Sequence, residues 1–257
     1  MNHLELQHAG IKIEENWLVR EISLELPNNK LTVLIGPNGA GKTTLLKLLA
    51  GLWQPTEGKV TLDECNLHQF KRAELAKQLT FVPQNTNINF AFTVQDIVMM
   101  GRNPHLRKFQ PVLGLDYVKQ AMEKTDITHL ADRLITKLSG GEMQRVIIAR
   151  SLATQANIIL LDEPTASLDI SHAIEILELL QELVSEGHTI ILSIHDINLA
   201  IRYADNIVLI KQGNIIAYGS PNKVLTDEMM NNIFKVNVER IITNDGKLMF
   251  YFKSQIN

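Results

Sequence analysis

The sequence predicts an α/β fold: a parallel sheet covered by helices, preceded by antiparallel strands and interrupted by a helical insertion. Three observations indicate it. The N-terminal stretch alternates apolar and polar residues, as half-buried antiparallel strands do. Apolar runs at residues 158–161, 189–193 and 207–210 alternate with helical stretches, which is the pattern of a parallel sheet. Between these parts, residues 85–154 have mainly helical patterns.

The first third of the chain alternates between strand and turn signals. Apolar residues at every second position include Leu4, Leu6, Ile22 and Leu24, and residues 27–30 form a turn. Residues 31–35 are a continuous apolar run, which predicts a buried parallel strand. The leucine spacing in residues 43–50 predicts a helix that ends at Gly51.

The middle contains three helix starts. Thr93 can cap a helix over 94–101, Asp116 one over 117–125, and Ser139 one that runs through Leu152.

Towards the C-terminus we expect helices over 170–186 and, after Asp196, over 197–203. Residues 212–214 have the composition of a hairpin turn between strands 207–210 and 215–218. Residues 227–234 predict a helix, and strands are expected within 236–252.

Composition excludes several classes of protein. The chain has 257 residues, 45% of them hydrophobic, and a net charge of -3, without the basic excess of a nucleic-acid binder. Its single cysteine, Cys65, excludes an intramolecular disulfide framework and a multi-thiolate metal site. Apolar runs fall far short of the roughly 20 residues that a spanning helix needs, and the N-terminus lacks an export-signal pattern. A membrane role would therefore need a partner chain.

One segment has the pattern of a phosphate-binding loop: a glycine, four residues, then Gly-Lys-Thr, between a buried strand and a helix. The glycines let successive backbone N–H groups face one anion, and the helix adds its positive end. Lys42 can bridge β- and γ-phosphates, and the Thr43 hydroxyl can bind Mg²⁺. The loop comprises Gly36, Pro37, Asn38, Gly39, Ala40, Gly41, Lys42 and Thr43, followed by Thr44.

Two carboxylates, Asp162 and Glu163, follow the apolar run 158–161. Ligands gather at the carboxyl ends of strands in open α/β sheets. Asp162 would then hold the Mg²⁺ shell, and Glu163 would polarise an attacking water. The alternative is an ordinary strand-ending turn with two solvated acids before Pro164.

A third element, Ser139-Gly140-Gly141-Glu142, is a capping box at a helix start. Its exposed N–H groups, hydroxyl and two glycines could also admit a phosphate.

The order of these motifs, with Gln84, Ser167-Leu168-Asp169 and His195, resembles the nucleotide-binding subunit of ATP-binding cassette (ABC) transporters over nearly the whole chain. The resemblance implies a P-loop NTPase core with an antiparallel N-terminal subdomain. The core would comprise residues 1–84 and 155–257, and the inserted helical subdomain 85–154, in one domain.

In that family two cassettes meet head to tail. By resemblance, Ser139, Gly140 and Gly141 would contact the γ-phosphate held by the partner's loop, and Asp169 would cross the interface. His195 would hold the γ-phosphate and water, and Gln84 would link Mg²⁺ to the permease. Without the resemblance, Gln84 is simply a polar loop residue and His195 a structural histidine.

A narrower resemblance, to importers of iron-siderophores, haem or cobalamin, lies in residues 92–98, Gly101-Arg102-Asn103-Pro104-His105 and the tail 224–236. From the residues alone, the Asn-Pro pair would be a helix-ending turn and His105 an incidental solvated residue. The sequence departs from the family pattern at one position. The family usually has an aromatic residue there that stacks on adenine, whereas this sequence has Ile13. Trp17 is nearby but offset, and packing in the sheet is its expected role.

The resemblance thus implies an ATPase that uses ATP and Mg²⁺ to power a chelate importer. Its expected partners are a second cassette, two membrane permease subunits and, indirectly, a periplasmic or surface substrate-binding protein. It would sit peripherally on the cytoplasmic face of the cell membrane. We expect residues 84–105 to form the groove for a permease helix, because Phe90 and Phe92 precede the Thr93 cap on a loop where their rings would be exposed. The alternative is that both rings pack into the local core. The rivals are a soluble cassette ATPase of the iron–sulfur assembly type and a nucleic-acid-acting cassette, which the net charge disfavours.

Overall fold

The computed structural model describes residues 3–84, 90–106, 114–243 and 246–253. It confirms the predicted α/β fold with an antiparallel N-terminal sheet and helices in the middle of the chain. The strands are β1 (Leu4–Ile13), β2 (Asn16–Leu26), β3 (Leu31–Ile35), β4 (Glu57–Leu62), β5 (Cys65–Asn66), β6 (Leu79–Val82), β7 (Ile158–Leu161), β8 (Thr189–Ser193), β9 (Asn206–Lys211), β10 (Asn214–Gly219), β11 (Asn237–Ile242) and β12 (Leu248–Lys253).

The α-helices are α1 (Lys42–Leu49), α2 (Arg72–Leu75), α3 (Val94–Met99), α4 (Leu115–Lys124), α5 (Gly140–Ala153), α6 (Ile170–Ser185), α7 (Ile197–Tyr203), α8 (Pro221–Val224) and α9 (Asp227–Met229). Short 3-10 helices cover Leu67–Gln69, Met100–His105, Thr128–Leu130 and Ile135–Lys137, and a π-helical turn covers Met230–Phe234. Within the described ranges, none of these helices has the length and apolarity needed to cross a membrane.

The central sheet has the strand order β10-β9-β3-β8-β7-β6. Five strands are parallel, and β10 pairs antiparallel with β9 through the predicted hairpin. Every residue of β3, β7 and β8 is buried, as expected for parallel strands covered on both faces. Because parallel strands end at one edge, the segments after β3, β7 and β8 lie close together.

The N-terminal sheet has the order β2-β1-β4-β5 and is antiparallel. Leu4 pairs with Leu26 and Leu6 with Leu24, so the alternating leucines share the buried face. We did not predict β4, in which only the last three residues are buried. The sequence of β4 has no alternating hydrophobic pattern, and the segment is a strand because it pairs with β1.

The hydrophobic core has two parts, one on each face of the central sheet. Val33 and Ile35 pack with residues of α3, α5, α6 and α7, whereas Leu34 packs with α1 and the N-terminal sheet. Neighbouring residues of β3 point to opposite faces, as strand geometry requires. Helices from the middle of the chain therefore share a core with the sheet.

Two of the helix boundaries that we expected are wrong. The helix expected to start after Asp116 begins at Leu115 with Gly114 as its N-cap, so Asp116 lies in the first turn. The helix after Thr93 is α-helical only to Met99 and continues as a 3-10 helix to His105. Pro104, inside this 3-10 segment, lacks the N–H that would bond to the Met100 carbonyl in an α-helix. The capping box at Thr93 itself is present.

Arg102, expected in an exposed groove, is instead 4% exposed. Its Nη1 donates to the Ala153 carbonyl at 2.7 Å and to Gln155 Oε1 at 2.9 Å, and its guanidinium lies 4.5 Å from the Tyr117 ring centroid. His105 is not solvated either, because its Nε2 lies 2.8 Å from the Thr154 carbonyl. Carbonyls at the end of α5 have no intrahelical donor, and these side chains satisfy them.

Candidate functional site

The phosphate-binding loop joins β3 to α1 at the carboxyl edge of the sheet. A side chain at Gly36 would place its Cβ 2.1 Å from the Ile210 carbonyl oxygen, so only glycine fits there. Gly41 is the N-cap of α1 with φ of 107°, and a Cβ would meet the Leu18 carbonyl oxygen at 2.9 Å. Glycine is therefore required at both Gly36 and Gly41, because the backbone of neighbouring segments comes too close for a side chain.

Lys42 is buried at the first turn of α1. Its Nζ donates to the carbonyl oxygens of Gly36 at 3.0 Å and Pro37 at 3.3 Å. Burial lowers the pKa of Lys42, while the nearby carboxylates of Glu163 and Asp162 oppose that shift. The ammonium thus lies inside the loop, beside both predicted carboxylates.

Asp162 and Glu163 follow β7 and are tied to β8 by Ser193. The fully buried Ser193 hydroxyl donates to Asp162 Oδ1 at 2.7 Å and accepts the Glu163 backbone N–H at 2.9 Å. Asp162 is only 3% exposed. The solvated-turn alternative therefore does not describe Asp162.

The Glu163 side chain brings two other predicted residues together. One carboxylate oxygen accepts a hydrogen bond from Gln84 Nε2, and the other contacts His195 Nε2. Gln84 follows β6, and His195 follows β8. The residues that follow β6 and β8 thus contact the carboxylate of Glu163, which follows β7.

These groups line one cavity of about 750 Å³. The predicted residues on its wall are Asn38, Gly39, Ala40, Gly41, Lys42, Thr43, Thr44, Gln84, Glu163 and His195, and the others are Trp17, Leu18, Gln212 and Gly213. Gly36 and Pro37, the first two residues of the loop, do not line the cavity, but their carbonyl oxygens accept hydrogen bonds from Lys42. The cavity therefore collects most of the residues that separate sequence motifs predicted.

Trp17, which we expected only to pack in the sheet, is on the cavity wall. Its ring also lies against β1, because a Cβ on Gly10 would fall 2.8 Å from Trp17 Cζ3. Ile13, at the place where the family has an aromatic, is 51% exposed and is not among the residues that line this cavity.

The capping box at the start of α5 is present. Ser139 N–H donates to Glu142 Oε2 at 2.7 Å, and Glu142 N–H donates to the Ser139 hydroxyl at 3.3 Å. The bond from the Ser139 backbone lowers the pKa of Glu142. Ser139 and Gly140 are exposed, whereas Gly141 is buried.

Asp169 is exposed and caps α6, accepting the His172 backbone N–H at 2.9 Å. This bond lowers the pKa of Asp169. Within the described ranges, seven of the predicted site residues do not line the 750 Å³ cavity: Gly36, Pro37, Ser139, Gly140, Gly141, Asp162 and Asp169. One chain therefore does not bring the 139–141 segment to the phosphate loop.

The donor groups near the loop suit a hard cation. Thr43 offers a hydroxyl, Gln84 an amide oxygen, and Asp162 a carboxylate whose Oδ1 already accepts from Ser193. Mg²⁺ takes oxygen ligands, usually one or two carboxylates together with substrate phosphates. The described residues contain no group of three or more His, Cys, Asp or Glu side chains that could hold a metal ion. The chemistry therefore fits a cation shared with a phosphate ligand.

Sequence reasoning missed Ser193 and the cavity roles of Leu18, Gln212 and Gly213. A serine at the end of the apolar run 189–193 was a signal for Ser193, because the adjacent run also ends in polar residues. Nothing in the local sequence marks Leu18 or Gln212, which reach the cavity through strand pairing and a hairpin turn.

Comparisons with known proteins agree with this geometry. A family model described as ABC transporter matches residues 19–166, more than half of the chain. The chain is 39% identical over 236 residues to a cobalamin import ATP-binding protein from Halobacterium salinarum. The match covers 91% of this chain but only 58% of the relative's length. It is 41% identical over 234 residues to a ferric enterobactin transport ATP-binding protein from Escherichia coli. This match covers 90% of the chain and 84% of the relative's length.

One solved structure, described as an inward-facing conformation of a metal-chelate type ABC transporter, has a TM-score of 0.85 with this chain. The two are 29% identical, and the match covers 99% of this chain and 98% of that one. The likeness thus extends over the whole fold.

Proposed function

The chain belongs to the ABC transporter family, and on that premise we propose that it hydrolyses ATP to power the import of a metal chelate. The observation that carries the proposal is the cavity in which the phosphate loop, Lys42 and the Gln84–Glu163–His195 group face one another. A triphosphate in that cavity has a cradle at one side and a carboxylate base at the other.

The loop residues bind the triphosphate. Backbone N–H groups of the glycine-rich loop and the N-terminus of α1 attract negative charge. Lys42 adds a full charge at the β- and γ-phosphates, where it would exchange its bonds to the Gly36 and Pro37 carbonyls for phosphate oxygens. The ring of Trp17, on the same wall, offers a face on which the purine can stack.

Thr43, Gln84 and Asp162 would hold Mg²⁺, with Asp162 acting directly or through water. The cation would neutralise charge on the β- and γ-phosphate oxygens. Ser193 fixes one oxygen of Asp162 and leaves the other for this task.

Glu163 is proposed to act as the general base that polarises the attacking water. Gln84 and His195 contact its two carboxylate oxygens and so hold the carboxylate at the cavity wall. In the presence of ATP, His195 would turn to the γ-phosphate and the water. Phosphoryl transfer needs such positioning and charge neutralisation rather than a covalent intermediate.

Completion of the site requires a second copy of the chain. Ser139 and Gly140 are exposed at the start of α5, with Gly141 behind them, so this segment can reach the γ-phosphate of a partner cassette. Asp169 is exposed as well and would cross the same interface. We therefore propose a head-to-tail homodimer in which ATP binding closes the interface and hydrolysis reopens it.

The cargo is proposed to be an iron chelate or cobalamin. The support is that similar proteins are named for cobalamin import and ferric enterobactin transport. The chelate would bind to other chains: two permease subunits and a periplasmic or surface binding protein. The cassette would then lie on the cytoplasmic face of the cell membrane. The same relatives favour an importer over the soluble and nucleic-acid-acting alternatives.

The permease is proposed to dock near Phe90, which is 71% exposed and touches Phe92. A groove lined by Leu52, Leu75 and Phe81 reaches Thr154, whose carbonyl contacts His105 at the other end of the proposed segment. Exposed apolar side chains of this kind are what a cytoplasmic helix of the permease could bury. Residues 85–89 of the proposed segment lie outside the described residues, and Arg102 is removed from it because it is buried.

Cross-linking in membranes tests this proposal. In a Cys65→Ser background, Phe90→Cys is expected to cross-link to a cysteine on the cytoplasmic permease loop. Ile242→Cys, with a comparable exposure of 66%, is the control and should not. A chain that neither co-purifies with a permease nor cross-links through residue 90 would contradict the importer assignment.

A further inference from the structure

The buried glycine at the start of α5 is adjacent to a histidine of α6. A Cβ added to Gly141 would lie 2.6 Å from Cδ2 of His172, 3.1 Å from its Cγ and 3.3 Å from its Nε2. All three of the nearest atoms belong to this one ring. The imidazole therefore occupies the space that a side chain at position 141 would need.

The ring is held in that place by Asp169. His172 Nδ1 lies 2.8 Å from Asp169 Oδ1, and the His172 backbone N–H donates to the same oxygen at 2.9 Å. With Nδ1 as the donor, the ring cannot swing away from Gly141 without losing this bond. The N-cap of α6 is thus connected, through one imidazole, to the second residue of α5.

The preceding glycine has no such neighbour. A Cβ on Gly140 would meet Leu168 Cδ2 and the Ser167 carbonyl oxygen, both at 3.7 Å, which is ordinary contact. Alanine is normally favoured over glycine inside a helix. The requirement for glycine at 141 therefore comes from His172 in the same chain, and nothing comparable applies at 140.

We propose that His172 is a positioning residue that locks the 139–141 segment to Asp169, so that both meet the partner cassette as one rigid unit. The inference rests on the head-to-tail dimer proposed above. Ser139 and Asp169 are both exposed, and Ile170 beside Asp169 is 79% exposed, so the unit presents a free surface. A force on Asp169 from the partner would reach Gly141 through the imidazole.

The contact itself can be tested by thermal unfolding of four proteins: wild type, Gly141→Ala, His172→Ala and the double variant. Gly141→Ala should lower Tm by about 2–4 °C, the shift expected for about 1 kcal/mol in a chain of this size. In the His172→Ala background the same change should leave Tm unchanged or raise it, because the space is free. Gly140→Ala is the matched control and should show no dependence on residue 172. Equal effects of Gly141→Ala in both backgrounds would overturn the inference.

The positioning role is tested by ATP-dependent dimerisation in a Glu163→Gln background, followed by size-exclusion chromatography. His172→Ala should raise the ATP concentration needed for dimerisation by about tenfold, the scale of one coupled contact. Monomer affinity for ATP and Tm should stay unchanged. His172→Asn, whose amide can still donate to Asp169, should retain most of the dimer. Normal dimerisation of His172→Ala would overturn the role of His172, whereas failure of the Glu163→Gln protein itself to dimerise would contradict the proposed dimer instead.

Discussion

Glu163 adopts a backbone conformation that is uncommon for a residue with a side chain, with φ of 49°. Ser193 supports this conformation by accepting the Glu163 N–H, and the resulting turn directs the carboxylate to Gln84 and His195. Such strain is retained where the surroundings over-determine the geometry, often at functional sites. The backbone conformation of Glu163 therefore directs its carboxylate into the cavity, and contacts with Gln84 and His195 fix the carboxylate there.

The first prediction concerns this carboxylate. Glu163→Gln should reduce ATP turnover by about 100-fold or more, because the amide keeps the size but cannot polarise water. ATP should still bind. Phosphate release measures turnover, and Glu178→Gln on the exposed side of α6 is the control. A wild-type rate in Glu163→Gln would show that Glu163 is not the base.

The second prediction concerns Arg102. Arg102→Leu should lower the free energy of unfolding by about 1–3 kcal/mol, because the buried Ala153 carbonyl loses its donor. Arg202→Leu, at an exposed position of α7, should change it by less than about 0.5 kcal/mol. Urea unfolding measures both. An unfolding free energy equal to wild type for Arg102→Leu would contradict its role as a cap of α5.

At the scale of elements, the hydrophobic pattern of the sequence predicted those strands that are buried in the core. The strands β3, β7 and β8 are continuous apolar runs and were identified, whereas β4 depends on pairing with β1 and was not. Capping chemistry found the starts of α3 and α5, but it failed at α4, where Gly114 rather than Asp116 precedes the helix. Pairing partners and glycine-dependent caps depend on the rest of the fold, so local patterns do not reveal them.

The third prediction tests how the 139–141 segment acts. Gly140→Asp places a negative charge on the exposed face of α5, where its Cβ has room. The variant should bind ATP as a monomer but fail to close a dimer. Aspartate at 141 would be a poorer test, because it would also displace His172.

Mixing Gly140→Asp with Lys42→Ala gives the sharper result. In a head-to-tail dimer, one mixed site carries both changes and the other is intact, so ATPase activity should return on mixing two inactive proteins. Measurable recovery supports the composite site. A fully active Gly140→Asp homodimer would rule out contact between this segment and the partner's phosphate.

At the scale of the molecule, the site predicted from sequence is divided between two places. Loop residues 38–44, Gln84, Glu163 and His195 line one cavity, and the buried Asp162 precedes Glu163, whereas Ser139, Gly140 and Asp169 are exposed outside that cavity. The loop, the carboxylate pair and the capping box were visible as local patterns, whereas Gln84, His195 and Asp169 were predicted only through the family resemblance. Motif order could not predict that Trp17 rather than Ile13 lines the cavity, because that follows from the register of β1 on β2.

The central claim is that this cavity binds ATP through Lys42. Titration calorimetry of the purified chain with ATP tests it most directly, with Lys47→Ala in the same helix as the control. Wild type and Lys47→Ala should bind alike, and Lys42→Ala should lose productive binding, with affinity lowered at least about tenfold by the loss of a charged contact to the phosphates. Equal ATP affinity and turnover in wild type and Lys42→Ala would contradict the account.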